Sequence, residues 1–273
     1  MKNETLFVAL PPLIKVPVQT TKSLHQEMGE CIAKIPAQAF PQILTLARNG
    51  SAIAQYVLSM MYYSGSPVSQ DSIMAEQWLE KSAAQGFAKA QYHLAMQILE
   101  ESPTRALALL EAAAAQHDAD AQFALANIYY AGTYAAQNYP LAMQWLKQAA
   151  EGGVPEAQEF LGVMYFMGEH LAQDIALARY WVEKSAAQEF APAQVILGLL
   201  YLDGLNGVAH DPEQGVRLLG KAAAQDNADA QYFIGTMYRD GEYLARDKAQ
   251  ARQWLEKAAM QDHENAIREL NVL

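Results

Sequence analysis

Apolar positions along the chain fall at helical intervals, in two alternating patterns. In the first, an Ala-Gln pair is followed four positions on by a large apolar residue and, four further, by a Tyr or Ile. The Ala, the large residue and the Tyr or Ile therefore share one helical face. The pair stands at Ala54-Gln55, Ala90-Gln91, Ala121-Gln122, Ala157-Gln158, Ala193-Gln194 and Ala230-Gln231, at intervals of 36, 31, 36, 36 and 37 residues, and Ala266 follows another 36 on. The large residues are Leu58, Leu94, Leu125, Leu161, Leu197 and Ile234; Tyr62, Ile98, Tyr129, Tyr165, Tyr201 and Tyr238 complete the face. A small residue follows each large one, which lets a neighbouring helix approach closely.

The second pattern lies downstream of each first. Trp78-Leu79, Leu109-Leu110, Trp145-Leu146, Trp181-Val182, Leu218-Leu219 and Trp254-Leu255 each lead into an alanine-rich end. All four Trp residues occupy this register and are expected to be largely buried between second helices. Asp71, Asn138, Asp174, Asp211 and Asp247 precede these helices, with side-chain oxygens suited to N-caps. Gly65, Gly132, Gly168, Gly204 and Gly241 follow the first helices, where a left-handed residue ends a helix. Each unit thus reads as a helix, a glycine loop, a capped second helix and a short turn. Six such units span 50–85, 86–116, 117–152, 153–188, 189–225 and 226–261. The second lacks the glycine loop and has Glu100-Glu101-Ser102-Pro103 instead; Leu94, Ile98, Leu109 and Leu110 keep its packing registers. Residues 262–273 read as a C-terminal capping helix with Asp262 as its cap, 21–49 as a degenerate N-terminal capping pair, and 1–20, with three prolines among apolar residues, as an extended arm.

No unit can bury its apolar face alone, so neighbours must stack. The string A-x-x-x-L-G-x-x-Y…G…D-x-x-x-A-x-x-W-L-x-K-A-A, running through residues 50–261, resembles the Sel1-like repeat, a relative of the tetratricopeptide repeat. The 36-residue step and the glycine loop separate it from the 34-residue tetratricopeptide unit. The chain departs from the family pattern where a second loop glycine is replaced, in Gly168-Glu169-His170 and Gly241-Glu242-Tyr243. The resemblance implies an all-α fold, an α/α superhelix or solenoid of about six repeats closed by capping helices. It implies protein binding by a non-enzymatic scaffold. Related proteins serve as adaptors in signalling and quality control, in bacterial virulence, and as immunity proteins against secreted effector toxins.

Charge narrows the partners. The chain has 273 residues, 19 basic and 30 acidic, for a net charge of −11. A sequence-independent nucleic-acid binder needs the opposite balance, as does a protein that adheres to anionic membranes. The surplus is uneven: residues 1–136 carry a net −3 and residues 137–273 a net −8, which would steer a basic surface onto the second half. A single cysteine, Cys31, excludes an internal disulfide and falls on an apolar helical face. No apolar run is long enough to span a membrane, and the apolar run 6–10 stops at Pro11-Pro12, too short for a secretory signal. A cytoplasmic chain is expected.

Chemistry-bearing motifs do not emerge. The six histidines share no metal-ligand spacing, and no phosphate loop or nucleophile elbow occurs. His117 and His263 fall in turns between units, and Asp118, Asp120, Asp226 and Asp229 at the starts of first helices, where the helix dipole accounts for them. No catalytic residue, cofactor or metal is assigned. An adaptor or regulatory subunit, or an enzyme with a site grafted on the groove, are the other readings. In a two-helix solenoid the first helices line the concave wall. The positions beside the Ala-Leu-Tyr face then name the candidate protein-binding surface: Tyr56, Tyr63, Tyr92, Phe123, Asn127, Tyr130, Glu159, Phe166, Tyr232 and Arg239. Rings at such positions either bind a partner or fill the seams between first helices.

Overall fold

The computed structural model describes residues 36–204 and 208–273; the expected arm over 1–20 and the first capping helix with Cys31 lie outside them. The described residues form fourteen α-helices, one 3-10 turn (Ala37–Ala39) and no strand. They divide into two compact units, one holding the described residues up to 152 and the other those from 153.

In the first unit, α1 (Phe40–Arg48) precedes the pairs α2 (Ala52–Ser64) and α3 (Ser72–Ala84), α4 (Ala88–Ile98) and α5 (Pro103–Ala114), α6 (Ala119–Ala131) and α7 (Tyr139–Glu151). The second unit holds α8 (Pro155–Met167) and α9 (Ile175–Ala187), α10 (Ala191–Asp203) and α11 (Pro212–Ala224), α12 (Ala228–Asp240) and α13 (Lys248–Ala259), and then α14 (Glu264–Leu270). Within each unit every helix packs on the next in sequence, most extensively on its partner in the same pair. The chain is an all-α solenoid.

Each first helix of full length ends the same way. Its terminal glycine is left-handed, with φ of 70° at Gly65 and 72° at Gly132. In four of the five a side chain five residues on closes the loop: the amides of Gln70, Gln137 and Gln173 donate to the carbonyls of Tyr63, Tyr130 and Phe166, and Arg246 does so to Arg239. The carboxylates of Asp71, Asp174, Asp211 and Asp247 and the amide oxygen of Asn138 then accept from the first turns of the second helices, at 2.8–3.1 Å. The five expected caps are thus in place. The short second repeat does without this loop. There Leu99 is buried, the Ser102 amide donates to the Ile98 carbonyl, and Pro103 starts α5. Leu94, Ile98 and Leu110 are buried and Leu109 is half-buried, so the repeat packs on its expected registers.

Second helices end on a left-handed residue followed by the next cap. Gly50, Gly86, His117, Gly153, Glu189, Asp226 and Asp262 occupy it. This corrects the cap of the last helix: Asp262 is the left-handed link at φ 61°, and His263 accepts the Ala266 amide through Nδ1. A Cβ in this conformation crowds the following carbonyl and costs about 1 kcal/mol. His117 is exposed, and His117→Gly is therefore expected to stabilise the chain by up to about 1 kcal/mol in urea denaturation. A lower urea midpoint for the variant would refute this. The two loop positions where a family glycine is replaced, His170 and Tyr243, are left-handed as well, at 58° and 64°.

The Trp register splits. Trp78 and Trp181 are buried, whereas Trp145 and Trp254 are half-buried. A lysine three residues on lies over three of the rings: Lys81 and Lys257 at 4.2 Å from the Trp78 and Trp254 centroids, Lys184 at 5.2 Å from that of Trp181. At Trp145 that position is Gln148, which serves a different purpose.

Candidate protein-binding site

That purpose is a ladder of glutamines. The Gln of every Ala-Gln pair is buried, at 8% exposure or less. In each repeat it pairs with a second Gln at the end of the second helix. Gln85 donates to Gln55 at 2.6 Å, Gln116 to Gln91, Gln188 to Gln158, Gln225 to Gln194 and Gln261 to Gln231, and Gln122 donates to Gln148. Gln55, Gln122 and Gln231 also reach back to the last carbonyls of the preceding helix, those of Ala47, Ala114 and Ala223. These amides fasten each pair, and in three repeats they also tie it to the helix before.

The ladder fixes which way each first helix turns its remaining face, and that decides the fate of the candidate residues. In the first unit, Tyr56 packs edge-on against Phe87 at 5.2 Å, and its hydroxyl lies 3.1 Å from His93 Nε2. The Tyr63 hydroxyl donates to Gln97 Oε1 at 2.9 Å. Both contacts bridge α2 and α4, so these rings fill the seam. Tyr92 is buried against His93. Phe123 and Tyr130 on α6 remain half-buried, Tyr130 edge-on to Tyr139. Asn127 lies one turn from each, is buried, and its Oδ1 accepts no hydrogen bond.

In the second unit Phe166 is buried and Glu159 half-buried. Tyr232 stacks on His263 at 4.7 Å, and His263 Nε2 lies 3.2 Å from Asp229. His263, in the turn between units, is therefore a capping and stacking residue. Arg239 forks onto Asp240, and these hydrogen bonds hold the Asp240 carboxyl below its usual range; Arg239 also ion-pairs with Glu269 of α14. It clamps the last helix. The sequence singled out neither His93, Gln97 nor the ladder's second glutamines: His93 and Gln97 recur in no other repeat, and the only signal for the glutamines is that five of them stand seven residues after the Trp or Leu of the second pattern, Gln148 standing three after Trp145.

Desolvation of Glu159, with Glu156 nearby, pushes its carboxyl up to about 7. Between about pH 4.5 and 7 the folded chain keeps a proton that the unfolded chain has released, so stability falls as pH rises through that window. Glu159→Gln removes this slope and should gain on the order of 1–2 kcal/mol at pH 8 relative to pH 4.5, less than the full shift because the side chain keeps some solvent contact. An equal difference from the wild type at both values would refute it. Among the described residues no three His, Cys, Asp or Glu side chains gather to hold a metal, and no helix is long and apolar enough to cross a membrane.

Comparison with known proteins agrees with this architecture. The model of the Sel1 repeat family matches residues 52–87, 88–118, 119–154, 155–190, 191–227 and 228–263. The chain belongs to the Sel1 repeat family. Its members generally mediate protein–protein interaction as non-catalytic scaffolds. Among solved structures it is similar to c5321, a protective antigen of uropathogenic Escherichia coli with the same repeat fold, at 27% identity and a TM-score of 0.70, over 98% of this chain and 58% of that one. This Sel1 repeat chain thus spans little more than half the length of that protein. A Sel1 repeat protein from Oxalobacter formigenes is 26% identical with a TM-score of 0.70, over 78% of this chain and 89% of the other. The immunity protein PA5088 of Pseudomonas aeruginosa shares the fold at 20% identity and a TM-score of 0.51, over 78% and 82% of the two chains. A comparison with curated proteins gives no match.

Proposed function

We propose that this Sel1 repeat protein is a non-enzymatic scaffold that holds a protein partner on its wall of first helices. The observation that carries the reading is the face of α6. Phe123, Asn127 and Tyr130 share it at spacings of four and three residues, two half-buried rings flanking an amide oxygen without a donor. Rigid rings bury partner side chains at low rotamer cost, and the two half-buried rings are what α6 offers a partner. Tyr232 offers a comparable half-buried ring in the second unit. The acidic second half favours a basic partner surface and adds association rate more than affinity. That charge also supports the narrower reading, a cytoplasmic immunity protein that neutralises a secreted effector toxin with a basic surface.

Affinity capture of the full chain from its native host, read by mass spectrometry, tests the proposal. Phe123→Ala with Tyr130→Ala should weaken capture of the partner at least tenfold, about 1.4 kcal/mol, while Tyr180→Ala on second helix α9 leaves it unchanged. Retention by the double variant, or loss with Tyr180→Ala, would place the site elsewhere. Growth rescue on co-expression with the captured partner separates immunity from an adaptor role.

A further inference from the structure

The second unit contains a cleft that the first-helix wall does not use. It is a half-open cleft between α9 and α11 of about 320 Å3, at the small end of ligand pockets. The floor is apolar and buried: Ala186 of α9, Leu197 of α10 and Leu218 of α11. The rim is charged, with Arg217 and Lys221 one turn apart on α11. Lys221 is held loosely by Glu189 at 3.4 Å, and both groups are exposed. Glu183, also on the rim, is paired with Arg179 along its own helix. Arg217 contacts only the neutral amide of Gln214, and no carboxylate pairs with its guanidinium among the described residues.

We propose that this cleft receives the C-terminal residue of a partner chain, with an apolar side chain on Leu197 and Leu218 and the α-carboxylate on Arg217 and Lys221. The guanidinium is the one rim charge without an opposite, and its planar fork matches a carboxylate. The volume holds about one residue, not a helix or strand. Charge and apolar body must therefore come from the same residue, and a chain terminus ending in a leucine-sized side chain supplies both. Glu183 and Glu189 at the rim oppose a dianion, which disfavours a phosphate group. The site lies between second helices α9 and α11, with one floor residue, Leu197, from first helix α10, and stands independently of the wall reading above.

The test uses the isotope-labelled full chain and two probes that differ in one group, N-acetyl-L-leucine and N-acetyl-L-leucinamide. N-acetyl-L-leucine should shift the backbone amide signals of Leu197, Arg217 and Leu218 and saturate in the millimolar range expected of so small a ligand. The amide, which lacks the carboxylate, should bind at least tenfold more weakly. Arg217→Gln should weaken the acid tenfold, while Arg105→Gln, on second helix α5 and paired with Glu80, changes nothing. Equal binding of both probes, shifts that map outside the cleft, or full binding by Arg217→Gln would overturn the proposal.

Discussion

Leu125→Ala is expected to cost about 3–5 kcal/mol and to lower the urea midpoint far more than any surface change. Leu125 is fully buried in the core of the first unit, on the face that α6 turns to its neighbours. Truncation loses the transfer energy of three carbons and leaves a void, because helices fixed by caps at both ends and by the Gln122–Gln148 bond relax little toward it. Stacked repeats draw stability from nearest neighbours, so hydrogen-exchange protection should drop most in α5, α6 and α7. Leu197→Ala offers the contrast. Leu197 occupies the same register but floors an open cleft, so its site can adjust and the cost should be about 2 kcal/mol. If the Leu125 variant melts like the wild type, the shared Leu register does not carry the core.

The register itself was legible because solenoid packing is local. A residue's burial follows from its place in a 36-residue unit, which is why Leu58, Leu94, Leu125 and Leu161 are all buried as the spacing predicts. The Asp and Gly signals at helix ends held for the same reason, since capping depends on neighbours a few residues away. The links between units were harder to read. Left-handed geometry there falls on His117, Glu189, Asp226 and Asp262 as well as on glycines, so composition does not mark the position, and Asp262 passed for a cap. The candidate wall could not be sorted from sequence at all. Tyr56 and Phe123 occupy the same position in their repeats, yet Tyr56 has Phe87 and His93 across its seam while Phe123 has no such ring contact among the described residues of its unit. The neighbour, not the residue, separates a seam from a surface. Arg239 makes the same point: as a sequence position it belongs to the wall, but Glu269 of α14 claims its guanidinium.

Gln122→Glu isolates the second large effect, the contribution of the buried amides. The change is nearly isosteric, so packing is preserved and only the donor is lost. Gln122 is 3% exposed and donates to the Ala114 carbonyl at 3.2 Å and to Gln148 Oε1 at 3.3 Å. A carboxylate there meets the negative end of α5, and Asp118 and Asp120 add like charge on the same first turn. The position of residue 122 near the start of α6 offsets part of this, but not the desolvation of an unpaired charge. The expected cost is about 2–4 kcal/mol at pH 8. Burial raises the carboxyl of the variant above its unfolded value. The folded variant therefore binds the proton more tightly, and its deficit should shrink as pH falls from 8 toward 5. Urea denaturation of variant and wild type at both pH values checks this. A variant as stable as the wild type at pH 8, or a deficit that does not change with pH, would show that the recurring glutamines act by shape and not by their hydrogen bonds.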